Sequence, residues 1–407
     1  METTLKEGQR ELAISRQRLK LQLGLSFFSF IMIGANDGAL GVLLPSIQAH
    51  YSIDKATLSL FFLASTAGYL IAAFSSGLLL EKLGQRLFLV LGPVAFLAAV
   101  ILISFMPPFF LTLPFLLLLG FGIAIIDAGL NSYIAGLPRN SALLNYLHAF
   151  YGIGALIGPI VASTVIALNL GWNLVYILWA AFSLIVLVGF TQVFQAQDRP
   201  QHHAEAADGK NVLGMALKLR VVWLGAFFLL FYVGGEVSLG SWSYSFLTED
   251  RHEAALLSGW AVSGYWLGLT LGRLVLGKVA LRFGNKRLIQ GCLVGVATGV
   301  LLIWLVPVGA VSAFGLILTG FSLGPIFPTT IALMSSLVSP RLLPSAIGFM
   351  TSLGSMGAAF FPWLAGNMAQ AYGLWTLLPY VIILTVVMLF IWFALQKAPS
   401  TENAPGV

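Results

Sequence analysis

The sequence has little charge. Only 9% of its 407 residues are Asp, Glu, Lys or Arg, whereas 58% are hydrophobic. Soluble proteins carry about 25% charged residues, so this composition excludes an ordinary soluble domain and indicates a protein embedded in lipid. Cysteine is almost absent as well. Cys292 stands alone, which excludes an intrachain disulfide framework and a cysteine-rich metal site.

The motifs of common enzymes are also missing. The sequence has no glycine-rich nucleotide-binding loop, no Ser-His-Asp arrangement tied to a pocket and no cluster of metal ligands. The adjacent His202 and His203 lie in a polar stretch, where we expect them to be solvated. We therefore expect no enzymatic activity, no cofactor, no metal and no nucleic-acid partner.

Long apolar runs are what the sequence has instead. A membrane-spanning helix needs about 20 mostly apolar residues, and several charge-free windows, such as residues 87–126, are long enough for two. The predicted fold class is an all-α membrane protein with twelve transmembrane helices in two pseudo-symmetric six-helix bundles. The twelve spans are predicted to begin near residues 22, 55, 87, 110, 141, 173, 219, 254, 287, 310, 342 and 374.

A single long polar break divides the spans into six plus six. Basic residues cluster on the side of this break and of both chain ends, while the opposite side keeps only Lys55 and Arg251. By the positive-inside rule, the chain is predicted to lie in the cell membrane with both termini cytoplasmic. The predicted divisions are an N-terminal tail (1–21), an N-terminal bundle (22–194), a middle loop (195–218), a C-terminal bundle (219–396) and a C-terminal tail (397–407).

The two halves resemble each other at an offset of 200 residues. Three glycines of the first half, Gly34, Gly120 and Gly154, fall opposite Gly234, Gly320 and Gly354. The stretch "GLLLEKLGQR" after span two also matches "GKVALRFGNKR" after span eight. A duplicated six-span unit is typical of transporters whose substrate site lies near the midplane between the halves.

The repeated loop stretch predicts a cytoplasmic gate. Gly77 is expected to let two helices approach closely, and the charges after it to pair with a neighbouring helix end in one conformation only. The alternative is that these charges only set the topology. Arg273 in span eight either snorkels to the cytoplasm or holds the gate closed, and we prefer both to substrate binding. The predicted gate residues are Gly77, Glu81, Lys82, Gly84, Arg86, Arg273, Gly277, Arg282 and Arg287.

The loop stretch "GxxxEKxGQR" resembles the loop motif of the major facilitator superfamily. Glu81 and Lys82 stand where that family usually has Asp-Arg, and Leu281 replaces the acid in the second copy. The twelve spans and the middle loop extend the resemblance over the whole chain. It implies a monomer among membrane lipids that moves a small-molecule solute, with spans one, four, seven and ten lining a central cavity.

Three acids lie inside spans, and all three fall on that set of four: Asp37 in span one, Asp127 in span four and Glu236 in span seven. An intramembrane acid costs about 2.5–3.5 kcal/mol on insertion scales, and the four spans supply no basic residue to offset this cost. A carboxylate that alternates between its charged and neutral forms couples transport to a cation. We predict Asp37 and Asp127 as coupling residues for H+ or Na+. The alternative is that they only join helices.

Further polar and aromatic side chains are assigned to solute binding, because sugar rings stack on aromatic rings while their hydroxyls bond to amides and carboxylates. For Glu236, for the histidine and for each aromatic residue, helix packing is the competing interpretation. The predicted solute-binding residues are Asn36, Asn131, Asn145, His148, Glu236, Trp242, Tyr265 and Trp266.

Several stretches narrow the resemblance, among them "NDGALGVLLPSIQ", "DAGLN" and "GGEVSLGSW". They resemble the fucose–galactose–gluconate:proton symporter branch and its sodium-dependent glucose transporter-like relatives, which carry acids in spans one and four. This implies a sugar-type solute and cation coupling. The stretch "GALIGP" in span five favours the second hypothesis, a proton-driven exporter of amphipathic compounds, although Ala162 and Ser163 replace the glycines usual there. A membrane sensor without turnover is the third.

Overall fold

The structure is a computed structural model that describes residues 2–137, 140–194 and 212–397. Side chains are described from residue 17 onward, apart from those of 141 and 277–283. The described residues form helices and short turns, without a β-strand among them. Most of the predicted middle loop and the end of the C-terminal tail lie outside the described residues.

The helices of the first half begin close to their predicted positions. Span one belongs to a helix that already starts within the predicted N-terminal tail, and Gly84 divides spans two and three. The bounds are Glu2–Tyr51 for span one, Lys55–Leu58 with Leu60–Ser104 for spans two and three, Phe109–Ala135 for span four, Asn140–Ala167 for span five and Asn173–Val193 for span six.

The second half begins with a short helix, Val212–Ala216. Span seven ends in a π-helical turn, Phe246–Asp250, and span ten is interrupted at Gly324 and Pro325. The bounds are Arg220–Ser245 for span seven, Ala255–Phe283 for span eight, Asn285–Leu305 for span nine, Gly309–Leu323 with Ile326–Met334 for span ten, Leu343–Tyr372 for span eleven, and Leu374–Thr376 with Leu377–Gln396 for span twelve.

Ten stretches of the described residues are long and apolar enough to cross a membrane. One of them, Lys55–Ser104, contains both span two and span three. A kink at Gly84, where φ is 74° and ψ is 165°, separates these two spans. Span eight is not among the ten, but it is a 29-residue helix at the predicted place. The described residues therefore hold a helix at each of the twelve predicted positions.

The offset of 200 residues holds in three dimensions. A Cβ atom on Gly68 would collide with the backbone carbonyl of Leu117, and one on Gly268 would collide with that of Ile317. The same close approach therefore joins spans two and four in the first half and spans eight and ten in the second. Gly284 also repeats the unusual backbone of Gly84, with φ 82° and ψ 153°.

The described residues divide into two compact units. The first contains Ala67–Gly154 with the described residues of Met1–Asn36 and Asn173–His202. The second contains Asp37–Thr66, Ala155–Trp172 and the described residues of His203–Val407. The second unit therefore holds spans seven to twelve together with those ends of spans one, two and five that the predicted topology places on the non-cytoplasmic side.

Candidate functional site

Asp127 of span four is held by two neutral hydrogen-bond donors. The Tyr69 hydroxyl of span two donates to Oδ2 at 3.0 Å, and Asn131 Nδ2 donates to Oδ1 at 2.8 Å. Asn131 follows Asp127 by four residues, the spacing that puts two side chains on the same helix face. The structure therefore joins a predicted coupling acid to a predicted solute-binding amide, and it adds Tyr69.

Close packing between helices fixes the position of the Asp127 carboxyl. A Cβ atom on Gly122 would lie 2.6 Å from the backbone nitrogen of Phe96, so spans three and four touch through their backbones. Two turns later in span four, the carbonyl oxygen of Gly129 accepts a hydrogen bond from Gln85 Nε2 of span three at 3.0 Å. Asp127 itself is half-buried.

His148 of span five belongs to the surroundings of the same acid. It interacts electrostatically with Asp127, and its ring meets that of Phe30 edge-on at 5.6 Å between centroids. Asn145 precedes it by three residues and lies on the same helix face. Both side chains are exposed.

The pair Asn36–Asp37 lies where span one crosses span five. In the first unit, a Cβ atom on Gly154 would collide with the backbone of Ile31. In the second unit, one on Gly38 would collide with the backbone carbonyl of Ala155. The two side chains at 36 and 37 are half-buried and sit in a stretch of span one whose backbone has almost no room to move.

Span one also crosses span seven within the second unit. A Cβ atom on Gly41 would lie 2.6 Å from the carbonyl oxygen of Ser241, so any larger residue requires a shift of one helix. Asp37 precedes Gly41 by four residues and therefore lies on the same face of span one. That face is the one turned towards span seven.

Glu236 of span seven is buried, with 9% of its surface exposed. Its Oε1 atom lies 3.8 Å from Arg273 Nη2, and the Tyr265 hydroxyl donates to its backbone carbonyl at 2.8 Å. Span eight thus supplies the counter-charge that spans one, four, seven and ten lack in the sequence. Tyr232, one turn before Glu236, places its hydroxyl near both charges.

Arg273, a predicted gate residue, directs its guanidinium towards spans seven and ten. Besides approaching Glu236, its Nε donates to the carbonyl oxygen of Gly324 at 3.3 Å. Gly324 lies at the interruption of span ten, where the helix does not continue past Leu323. Interrupted membrane helices free backbone groups for solutes and ions, and Arg273 contacts one of these.

The three aromatic candidates differ in their contacts. Trp242 is 1% exposed and donates to the carbonyl oxygen of Pro362 at 3.0 Å, which commits it to helix packing. Tyr265 is buried against Glu236. Trp266 is also buried, but its indole N–H has no hydrogen-bond partner among the described residues.

The first loop stretch makes one contact of the predicted kind. Arg86 Nη2 donates to the carbonyl oxygen of Thr191 at 2.8 Å, in the last turn of span six, where the helix dipole favours a cation. Glu81 and Lys82 are exposed. Gly84 makes the turn into span three with a backbone that is essentially restricted to glycine.

The close helix approach predicted at Gly77 is wrong for this structure. A Cβ atom there would meet no atom of the described residues within 4 Å. The tight contact of span two lies nine residues earlier, at Gly68, which packs on span four. In the second copy Arg287 is exposed, while Gly277 and Arg282 lie outside the residues whose side chains are described.

Spans of the two halves also meet in two further places of the second unit. A Cβ atom on Gly366 of span eleven would collide with Ser59 of span two, and one on Gly259 of span eight would collide with Ser163 of span five. Together with the crossing at Gly41, these contacts form what we call the outer seam. Ser59 and Ser163 are fully buried in it.

An ion pair lies at the edge of the outer seam. Lys55 Nζ lies 2.7 Å from Glu249 Oε2, and the Lys55 backbone N–H donates to Gln370 Oε1 at 2.9 Å. Asp54 caps the start of span two by accepting from the Thr57 N–H at 2.7 Å. Hydrogen bonds from the Thr57 side chain and backbone hold the pKa of Asp54 below its usual value.

Sequence reasoning missed Tyr69, Tyr232 and the pair of Lys55 with Glu249. A signal existed for the last of these, because Lys55 is one of only two basic residues on the predicted non-cytoplasmic side. The two tyrosines had no such signal. Tyr69 becomes recognisable only when the structure brings its hydroxyl to Asp127 of span four. Tyr232 becomes recognisable only when its hydroxyl is seen near Glu236 of its own helix.

Comparisons with known proteins agree with this architecture. A sequence profile of the Major Facilitator Superfamily matches residues 26–254 and 239–407. Bypass of stop codon protein 6 of Saccharomyces cerevisiae is 26% identical over 390 residues, covering 88% of this chain and 78% of the relative. The glucose/mannose transporter GlcP of Bacillus subtilis is 23% identical over 353 residues, covering 83% and 85%.

Solved structures show the same fold. A bacterial homologue of the human lysosomal transporter Spinster, inward-facing and unoccupied, has a TM-score of 0.80 at 12% identity, covering 96% of this chain and 99% of that one. The E. coli fucose:proton symporter has a TM-score of 0.64 at 17% identity, covering 94% and 98%. These likenesses confirm the predicted all-α fold and the predicted resemblance to transporters rather than enzymes. The chain belongs to the Major Facilitator Superfamily.

Proposed function

We propose that this transporter moves a small hydroxyl-rich solute, a sugar, by alternating access, and that Asp37 and Asp127 couple the movement to a cation. Similarity to the glucose/mannose transporter GlcP and to the fucose:proton symporter supports the solute class. The proposal places a monomer in the cell membrane with both termini cytoplasmic, in contact with lipid and with its solute.

The observation that carries the proposal is the hydrogen bonding of Asp127. Tyr69 donates to Oδ2 while the carboxyl is charged. A phenol oxygen also accepts, so a protonated Oδ2 can donate back to the same hydroxyl while Asn131 keeps its bond to Oδ1. Asp127 therefore gains and loses a proton without losing a partner, which a coupling residue requires.

The same contacts favour H+ over Na+ at this acid. A sodium ion needs several oxygen ligands around it, whereas Asn131 presents its N–H group and Tyr69 its hydroxyl hydrogen to the carboxylate. Both groups act as donors to the carboxylate in this arrangement. His148 interacts electrostatically with the same carboxyl.

We propose that the surroundings of Asp37 differ according to which side of the transporter is closed. Asp37 lies one residue before the crossing of span one with span five at Gly38 and four residues before the crossing of span one with span seven at Gly41. Opening of the outer seam must separate span one from span seven, so the surroundings of Asp37 change with the transport step. A carboxyl at such a place binds its cation differently in the two conformations, as coupling demands.

The outer seam supports alternating access. Its three close contacts, one against the backbone of Ser241 and two against the side chains of Ser59 and Ser163, join the non-cytoplasmic ends of spans one, two and five to the second half. In the proposed cycle, a proton and the solute enter while this seam is open, neutralisation of the acids lowers the cost of occluding the site, the seam closes, and both leave to the cytoplasm.

Purified protein in proteoliposomes tests the proposal. Uptake of radiolabelled glucose, galactose and fucose is measured under an imposed proton gradient and, separately, under a sodium gradient. Saturable accumulation of one of them with the proton gradient is expected. Outward flux of unrelated amphipathic dyes from inverted vesicles, without sugar uptake, would instead establish the exporter, and binding without any flux would establish a sensor.

A further inference from the structure

Two polar groups of span eight are buried without a hydrogen-bond partner. Among the described residues, neither the indole N–H of Trp266 nor the hydroxyl of Ser263 has one, although Trp266 is only 8% exposed and Ser263 only 2% exposed. Buried polar groups are seldom left unpaired in proteins, and a buried group that stays unpaired destabilises the fold. A partner that is not part of the fold would satisfy both groups.

Trp266 and Ser263 lie on the same face of span eight as Gly259. The three residues follow one another at spacings of four and three, which puts their positions on one side of a helix. At Gly259 that side meets the other half of the chain, because a Cβ atom there would collide with Ser163 of span five. Ser263 and Trp266 follow this contact by one and two turns.

The ring of Trp266 lies beside the crossing of spans one and seven. A Cβ atom on Gly240 of span seven would lie 2.8 Å from ring carbon Cζ2 of Trp266, and Cζ2 is bonded to the carbon that carries the indole nitrogen. A Cβ atom on Gly41 of span one would lie 2.9 Å from the carbonyl oxygen of the same Gly240. Separation of spans one and seven at the outer seam therefore changes what lies next to the polar edge of Trp266.

We propose that Trp266 and Ser263 bind one edge of the sugar ring and that the outer seam closes over this contact. The inference rests on the proposed function and names the subsite that recognises hydroxyl groups. An indole N–H only donates, whereas a serine hydroxyl donates and accepts. Sugar hydroxyls also do both, so they satisfy the two side chains together. Residues three apart on a helix have Cβ atoms about 5–6 Å from each other, within reach of neighbouring hydroxyls of one ring.

The same hydrogen bonds link solute binding to closure. Closing the outer seam over two unpaired polar groups is unfavourable, and solute hydroxyls that pair with both groups remove this penalty. The loaded transporter therefore closes its outer side more readily than the unloaded one. A ligand shifts a conformational equilibrium only through such a difference in its affinity for the two states.

Two residues of the same chemistry serve as matched controls. Ser258 and Trp392 are also buried and also lack a hydrogen-bond partner among the described residues, but their positions differ. Ser258 precedes Ser263 by five residues, which is about 140° around the helix. Trp392 belongs to span twelve, where its ring packs on that of Phe228 at 5.8 Å between centroids.

Competition for uptake tests the subsite. Proteoliposomes take up whichever of D-glucose, D-galactose and L-fucose gives saturable transport, and analogues that each lack one hydroxyl compete with it. Loss of a hydroxyl bound by the subsite should weaken competition about 5- to 150-fold, the range for leaving a buried group unpaired. Ser263→Ala and Trp266→Phe should each abolish this penalty at one ring position, the two positions being identical or adjacent. Ser258→Ala and Trp392→Phe should keep the wild-type pattern.

The outcomes separate this inference from the proposed function. Sugar uptake in which neither variant changes the penalty at any ring position, or in which the controls change it equally, overturns the inference and leaves the proposed function standing. Absence of sugar uptake by the wild-type protein overturns both. Ser263→Ala removes only an unpaired buried hydroxyl and should not lower the melting temperature, so it decides the test alone if Trp266→Phe does not fold.

Discussion

Gly41 of span one packs against the backbone of Ser241 of span seven, and the two residues occupy equivalent positions of the 200-residue repeat. A contact between equivalent positions lies close to the axis that relates one copy to the other. In a transporter built from a repeat, movement between the copies takes place about such an axis. The crossing at Gly41 is therefore where closure of the outer seam is most sensitive to side-chain size.

Gly41→Ala is expected to slow transport without abolishing folding. The added Cβ would lie 2.6 Å from the Ser241 carbonyl oxygen, and overpacking of a tight contact costs about 1–3 kcal/mol. The closed seam should weaken by roughly 5- to 150-fold, which is measured as a reduced rate of solute exchange in proteoliposomes. Gly24→Ala in the same helix, where a Cβ meets no described atom within 4 Å, is the matched control and should transport normally.

How much of this site was predictable depends on the kind of contact. Lengths of apolar runs predicted the spans, and the spacing of glycines predicted the repeat that Gly84 and Gly284 share. The partners of the acids were not predictable, because Tyr69 lies 58 residues from Asp127 and Arg273 lies in a different span from Glu236. Which faces of two helices meet depends on their rotation and packing. In helices that are apolar on most faces, the local sequence pattern does not indicate which face is turned towards a neighbouring helix.

Neutralising Lys55 should loosen the outer seam. In a Cys292→Ala background, Lys55→Gln is expected to raise the rate at which a membrane-impermeant maleimide labels Ser59→Cys, because the ion pair with Glu249 is lost. An ion pair at a partly exposed site contributes up to about 1 kcal/mol, so the increase should be about fivefold at most. The exchanged pair Lys55→Glu with Glu249→Lys should restore slow labelling.

A control separates the ion pair from the general charge of this region. Asp250→Asn removes a neighbouring acid from the same π-helical turn and should leave the labelling rate of Ser59→Cys unchanged. Equal acceleration by Asp250→Asn and by Lys55→Gln would show that the local charge, rather than the contact between Lys55 and Glu249, keeps the seam closed.

Alanine at either repeated turn should destabilise the protein. Gly84 and Gly284 have φ values of 74° and 82° with extended ψ values, a region that costs a residue with a side chain about 1–3 kcal/mol. Gly84→Ala and Gly284→Ala should each lower the melting temperature in detergent. Gly77→Ala has open space and lies inside a helix, so it should be neutral or slightly stabilising. A lower melting temperature for Gly77→Ala alone would contradict this reading of the loop.

Asp127→Asn should separate solute movement from accumulation. The amide keeps the size of the carboxyl and an oxygen that accepts from Tyr69 or Asn131, but it cannot gain or lose a proton. Counterflow exchange of the solute should therefore persist while accumulation driven by a proton gradient is lost. Tyr69→Phe removes one donor at 3.0 Å and leaves the carboxyl, so it should still accumulate solute, with a shifted pH profile. If Asp127→Asn accumulates solute as the wild-type protein does, coupling resides elsewhere, and Asp37→Asn becomes the decisive variant in the same assay.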